Sequence, residues 1–296
     1  MTDIQQDTFT RTREQIENEA ANQRLRAVFF KRAGWVLRYT AILSITFIFI
    51  FPFIWMLMSA FQRQLDIISP ALAFTPTLAN FERVLGEQQF PLYMWNSFIV
   101  AVISTLFSLI LGLPASYAIA RFRYDWLGVI LLTARIVPGI TFLVPWYILF
   151  SNVGLTGSHL ALILSHMIVT MPFIVWVMIP FFEALPRELE ESALIDGASV
   201  WGGFVRIVLP LSVPAIMTAS IMSFIFSWNN FMFSLVLAGE NTRTLPVAIF
   251  NFLTYASVDW GGLMAASVVI TMPVLVITIL MQRYVVSGLT AGAVKG

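Results

Sequence analysis

Glu183-Ala-Leu-Pro-Arg-Glu-Leu-Glu-Glu-Ser-Ala-Leu-Ile-Asp-Gly-Ala-Ser199 is a polar segment between two stretches apolar enough to cross a bilayer, His159 to Phe181 before it and Pro214 to Leu237 after it. Pro186 suits the first turn of a helix, and Glu188, Glu190 and Glu191 favour the positive N-terminal end of its dipole. Leu185, Leu189 and Ala193 recur every four residues and form one apolar stripe. Gly197 is free to take the left-handed turn that stops this helix, and Ser199 to cap a second one bearing Phe204, Ile207 and Val208 on one side. Two short helices meeting at a tight corner are expected; spacing alone also allows an amphipathic connector lying on the membrane.

The flanking stretches belong to a set. A bilayer core about 30 Å thick needs about 20 apolar residues of helix, because backbone groups in hydrocarbon must bond within their own segment. Six stretches qualify, near Trp35 to Phe61, Trp95 to Ala120, Trp126 to Phe150, His159 to Phe181, Pro214 to Leu237 and Leu263 to Val285. Pro138, Gly139 and Pro145 interrupt the third, Pro172 and Pro180 the fourth. The fold class is therefore all-α, a polytopic membrane protein with six transmembrane helices over residues 35–286.

Six crossings put both termini on one side. Thirteen Lys and Arg fall on that side, among them Arg121, Arg123, Arg187, Arg206, Arg283 and Lys295, against Arg63, Arg83 and Arg243 on the other. The excess marks the termini as cytoplasmic. Residues 1–34 carry five acidic and six basic side chains and read as a cytoplasmic tail rather than a cleaved signal. The first ten residues are expected to lack order, and the second half of 11–32 suits either a helix at headgroup level or a frayed, solvated tail. Residues 287–296 form a second cytoplasmic tail. The first outer connection, with Pro70, Pro76 and Pro91, is too short for a domain and is expected to cap the bundle.

Composition removes other classes. The chain of 296 residues is 58% hydrophobic and only 11% charged, where a soluble domain carries roughly 25% charged residues. A net charge of +1 offers no field to draw nucleic acid. Cys is absent, which excludes thiolate chemistry and Cys-ligated metals. The lysines, Lys31 and Lys295, follow Phe30 and Val294, so no P-loop Lys-after-Gly exists; His159 and His166 lack the spacing of a zinc protease, and no Gly-x-Ser-x-Gly occurs. An intramembrane enzyme is disfavoured, and no cofactor or metal is expected on this chain. No Asp or Glu lies within the six stretches, and away from their ends His166 is the one His and Arg135 the one charged side chain, so an ion-driven secondary transporter of a small polar solute is the weaker alternative.

Glu191-Ser-Ala-Leu-Ile-Asp-Gly197 followed by Ile207 and Leu209-Pro210 resembles the EAA loop of ATP-binding-cassette (ABC) importer permeases, whose pattern is Glu-Ala-Ala, three residues, Gly, a nine-residue spacer and Ile-x-Leu-Pro. Ser192 replaces the central Ala. Asn96-Ser-Phe-Ile-Val-Ala101, Ala118-Ile-Ala-Arg-Phe-Arg123, Leu245-Pro-Val-Ala-Ile-Phe-Asn-Phe252, Asp259-Trp-Gly-Gly-Leu-Met-Ala-Ala266 and the tail Gln282 to Gly296 are similar to MalG-type carbohydrate permeases. The resemblance implies a type I importer permease (MetI-like) fold in the bacterial-type inner membrane. The EAA loop would span 183–212 and meet an ATPase subunit through Glu190, Glu191, Ser192, Ala193, Asp196, Gly197, Leu209 and Pro210. Implied partners are a second homologous permease, two ATPase subunits holding ATP and Mg, an extracytoplasmic solute-binding protein and a sugar, oligosaccharide or polyol.

A sugar presents hydroxyls at its edge and C–H faces, which call for amides and aromatic rings in its path. Trp228, Asn229, Asn230 and Phe231 supply both in the fifth stretch, with helix packing as the equal alternative. Arg135, in Thr133-Ala-Arg-Ile-Val-Pro138-Gly139, is the one charge away from the ends of the six stretches and reads as a structural or gating contact ahead of a substrate contact.

Overall fold

A helix closes its own backbone hydrogen bonds, and most of the apolar stretches do fold as uninterrupted helices. The computed structural model describes residues 2–69, 74–87, 89–253 and 258–291, with the side chains of 2–30, 125, 132, 134–135 and 282–291 outside the description. The first helix, α1 (Thr2–Ala60), contains the apolar span 31–60. It is helical from Thr2, unlike the order-free start expected above, because neither Gly nor Pro occurs before Gly34 to break it. Residues 1–58 form a compact unit distinct from 59–296.

Within 59–296 the long helices are α2 (Phe90–Phe122), α5 (His159–Ala184) and α10 (Trp260–Ala291). The third expected crossing is not one helix. It divides into α3 (Asp125–Ile136) and α4 (Leu143–Asn152), joined by a 3-10 turn over Gly139–Phe142. Pro138 forces the preceding Val137 into extended backbone (φ −66°, ψ 122°), which ends α3. The fourth crossing behaves differently: α5 runs unbroken through Pro172 and Pro180. The fifth is α8 (Val213–Trp228), preceded by a helical arm, Val200–Leu211, that meets it at 77°. Among the described residues four helices alone are long enough to cross, and the bent pair makes a fifth.

The bundle centres on α2 and α5, with α8 across both and α10 behind α8. Apolar side chains gain little from meeting each other in lipid, so close backbone approach and interhelical hydrogen bonds hold such helices together. Ser104, Ser108, Gly112 and Ser116, four apart, are all buried on α2. Ser108 Oγ lies 2.6 Å from Thr170 Oγ1 of α5, and Ser104 Oγ lies 3.0 Å from Ser227 Oγ of α8. A Cβ added to Gly112 would sit 3.1 Å from Ile174 Cγ2. His166, buried on α5, completes the join with Nδ1 2.7 Å from Ser227 Oγ.

The other end is tied by its loops. Asn96 Nδ2 donates to the carbonyls of Asn241 and Arg243, both at 2.9 Å, its Oδ1 meets His159 Nε2 at 2.9 Å, and Ser97 Oγ accepts from the Leu245 amide at 2.8 Å. The first connection caps this end as expected: Asn80 Nδ2 donates to the carbonyls of Ala60 and Gln62, Arg83 pairs with Asp259 at 2.6 Å, and Gln64 Nε2 donates to Val258 O.

Replacing Gly112 by Leu overpacks the α2–α5 contact. The Gly112→Leu protein is expected to lose about 1–3 kcal/mol of stability, read as earlier thermal unfolding in detergent, and Gly112→Ala, which asks Ile174 to give by only a few tenths of an ångström, less than that.

Candidate functional site

Between α5 and α8 the chain turns twice. Helix α6 (Glu188–Ile195) follows Pro186 and Arg187, so Pro186 precedes the helix rather than opening its first turn. At its end Gly197 takes φ +84°, the Gly197 amide bonds Leu194 O at 3.1 Å and the Ala198 amide bonds Ala193 O at 2.9 Å. This paired closure satisfies carbonyls that would otherwise be open, and Gly avoids the Cβ strain of a positive φ. Ser199 Oγ then accepts from the Gly202 amide at 3.1 Å and caps α7 (Val200–Gly203), as its spacing predicts. A π-helical turn, Phe204–Val208, and the short helix Leu209–Leu211 continue to the bend into α8.

The inner side of this corner packs on the bundle. Phe204 and Val208 are buried with Phe182, Met178 and Tyr117, and the Tyr117 and Phe204 rings lie 4.6 Å apart. Ala193 is buried, Leu185 packs on the same cluster and Leu189 is exposed, so the apolar stripe of α6 is only partly covered.

Glu190, expected from the resemblance to meet an ATPase subunit, instead turns inward and ties α6 to α2. Glu190 Oε1 accepts from Arg121 Nε at 2.7 Å, its Oε2 accepts from Tyr117 Oη at 2.5 Å, and Arg121 Nη2 also reaches Leu185 O at 3.2 Å. The Arg121 and Glu190 side chains are only 8% and 14% exposed. Deleting one partner of such a pair strands the other charge, at about 3–5 kcal/mol.

The outer side faces away from the bundle. Glu191, Ser192, Asp196 and Gly197 are exposed, Leu209 is half-buried and Pro210 exposed. Apolar side chains stand beside them: Ile195 is 86% and Trp201 62% exposed, with Leu194 and Val200 adjacent. Two hollows flank the corner. One of about 180 Å³ is lined by Tyr117, Arg121, Arg187, Glu191, Leu194 and Val200 among others. The second, about 330 Å³, is walled by Leu189, Ser192, Asp196, Gly197, Gly202 and Arg206 among others.

Tyr117, Arg121 and the exposed apolar tip were not singled out from the sequence. Tyr117 and Arg121 stand one helical turn apart at the end of an apolar helix, opposite an acidic segment. The signal for the tip was Leu194, Ile195, Val200 and Trp201 gathered around Asp196-Gly197 in an otherwise polar loop.

The candidates for a substrate path separate. Trp228 is 2% exposed, and its indole donates to Ile270 O of α10 at 3.1 Å, which makes it a packing residue between α8 and α10. The helix ends there. Asn229 is exposed and bonds Ile225 O of its own helix; Asn230 Oδ1 accepts from the Phe233 amide at the start of α9 (Met232–Leu237); Phe231 stacks on Phe250 with centroids 5.4 Å apart. The side chains of Arg135 and of Gln282 to Ala291 are outside the description, and residues 292–296 lie outside the described residues. Among the described residues no cluster of His, Asp or Glu could hold a metal ion.

The chain belongs to the family of binding-protein-dependent transport system inner membrane components, whose pattern matches residues 104–291. It is 35% identical over 255 residues to the trehalose/maltose transport system permease protein MalG of Thermococcus litoralis, covering 83% of this chain and 92% of that one. It is 37% identical over 254 residues to the diacetylchitobiose uptake system permease protein DasC of Streptomyces coelicolor, with 83% and 92% covered. A chain of a bacterial ABC transporter involved in the import of the acidic polysaccharide alginate superposes with a TM-score of 0.73 at 19% identity, over 86% of this chain and 96% of that one. The all-α fold is thus that of an ABC importer permease, a multi-pass component of the inner membrane.

The corner depends on Gly197. Gly197→Val is expected to cost about 1–2 kcal/mol locally, and trypsin should then cut the solubilised protein after Arg187 and Arg206 several-fold faster than wild type.

Proposed function

We propose that this chain forms half of the path by which an ATP-driven importer moves a sugar, oligosaccharide or related polyol, and that the corner at 188–203 is where a separate ATPase subunit docks. The observation that carries the docking reading is the exposure of Leu194, Ile195, Val200 and Trp201 on either side of the Gly197 turn, in a segment where Glu191, Asp196 and Arg206 are exposed too. Exposed aromatic and aliphatic groups within a polar rim have the make-up of a protein–protein contact centre. Sugar transport is supported by the names of the trehalose/maltose and diacetylchitobiose relatives.

The remaining parts follow from this reading. ATP and Mg belong to two partner ATPase subunits, a second homologous permease completes the path, and an extracytoplasmic binding protein delivers the solute. The positive-inside count supports placing the corner, residues 1–34 and 287–296 in the cytoplasm, around a membrane domain of 35–286. The chain itself performs no bond chemistry. Nucleotide binding to the ATPase pair favours one state of the bundle over the other and so alternates access to the path. Asn229, exposed, and Asn230, half-buried, remain the polar candidates to meet a sugar hydroxyl where α8 ends.

Docking is tested by co-purification. The double variant Ile195→Asp, Trp201→Asp is expected to weaken retention of the ATPase subunits by more than about 30-fold, as for loss of a contact centre worth about 2 kcal/mol or more, without lowering membrane insertion. Undiminished retention would refute the site. Because the chain lacks Cys, a single Cys at Ser192 should react with a membrane-impermeant maleimide only from the cytoplasmic side.

A further inference from the structure

We infer that Glu190 is a positioning residue that passes movement of the docking corner into α2, through Arg121 and Tyr117, and along α2 to the loop at 239–245. The inference rests on the docking reading above and adds the route by which the corner acts.

Three features single out this link. Helix α6 has Ala193 as its one buried residue, so its apolar packing on the bundle is slight. Glu190 compensates by engaging two side chains a helical turn apart on α2, one per carboxylate oxygen. Two anchors on one rigid helix resist both sliding and rotation of α6, which a single bond would permit. Arg121 also bonds Leu185 O at the exit of α5, so its guanidinium holds both ends of the short connection into α6.

The covalent route out of the corner is softer. It passes a π-helical turn at Phe204–Val208 and a 77° bend before α8, and such departures from the α-helix mark points where a rod gives way. Helix α2, by contrast, stays one continuous helix of 33 residues through Pro114, about 50 Å long at 1.5 Å per residue. Its far end is fastened to the outer loop by Asn96, which donates to the carbonyls of Asn241 and Arg243, and by Ser97, which accepts from the Leu245 amide. A displacement of α6 therefore has an unbroken helical path from the corner to the connection at 239–245. Arg187 and Glu191, which line the adjoining hollow, are both exposed, so the shielded charge pair of this junction is Arg121 with Glu190.

Stability alone does not require such a pair, because well-packed apolar residues of similar volume commonly replace a buried ion pair without loss. That separates a positioning role from a structural one. Spin labels at Cys introduced for Glu82 and Glu240, on the two outer connections, report their separation in the full transporter with its ATPase subunits, before and after trapping with ATP and vanadate. In the wild-type background the trapped state should shift the distance distribution. Arg121→Leu with Glu190→Leu should retain the ATPase subunits yet reduce the shifted population at least about fivefold, and Arg121→Lys, which keeps the charge pair, should restore most of it. If the Leu pair does not insert, Tyr117→Phe with Glu190→Gln should show the same loss. An unshifted wild-type distance, or a full shift in the Leu pair with ATPase retained, overturns the inference while leaving docking intact. Failure of the ATPase subunits to bind the wild-type corner would instead overturn the docking reading.

Discussion

Close approach of α2 to its neighbours depends on Ser104, Ser108, Gly112 and Ser116, small side chains in one line on a helix that is otherwise strongly apolar. In lipid the hydrophobic effect does not press helices together, so contact depends on shape and on polar pairs. The line admits Ile174 and Thr170 of α5 against the α2 backbone, and Ser104 meets Ser227 of α8, itself held by His166. With α2, α5 and α8 fixed in this way, this end of the bundle presents Tyr117, Met178 and Phe182 as a seat for Phe204 and Val208 of the corner. The geometry of the site is thus set by packing some way from it.

Much of this was legible in the residues because its causes are local. Length and hydropathy locate the apolar helices, and no distant contact is needed to know that a long apolar stretch must close its own hydrogen bonds in a membrane. Proline shows where local reading ends. Pro138 breaks the third stretch, with Gly139 beside it, whereas Pro172 and Pro180 leave α5 continuous. Each proline removes one donor, but the neighbours that steady or abandon the weakened turn come from other parts of the chain. The helical start at Thr2 is a different case: its composition is polar, yet no Gly or Pro in it breaks a helix.

The candidate site divides along the same line. The turn at Gly197 and the cap at Ser199 were legible, since a positive φ and a side-chain cap are decided within a few residues. The partners of Glu190 were not, because Arg121 and Tyr117 lie 69 and 73 residues away and only the fold brings them near. Glu190 and Glu191 look alike as letters, yet the helix turns one inward onto α2 and leaves the other exposed. Trp228 illustrates the converse: its ring suited a sugar face, but its indole proton is taken by Ile270 O. Residue type points to a neighbourhood, and the direction of each side chain decides what it can touch.

The central claim is that the corner after α5 is driven by a nucleotide motor held on separate subunits. Its most direct measurement is uptake by proteoliposomes of the radiolabelled sugar that the cognate binding protein retains, with the permease pair present and the ATPase subunits either included or left out. The account predicts accumulation only when the ATPase subunits and ATP on their side are both present, with no response to an imposed proton gradient. Accumulation without the ATPase subunits, driven by that gradient, would contradict it.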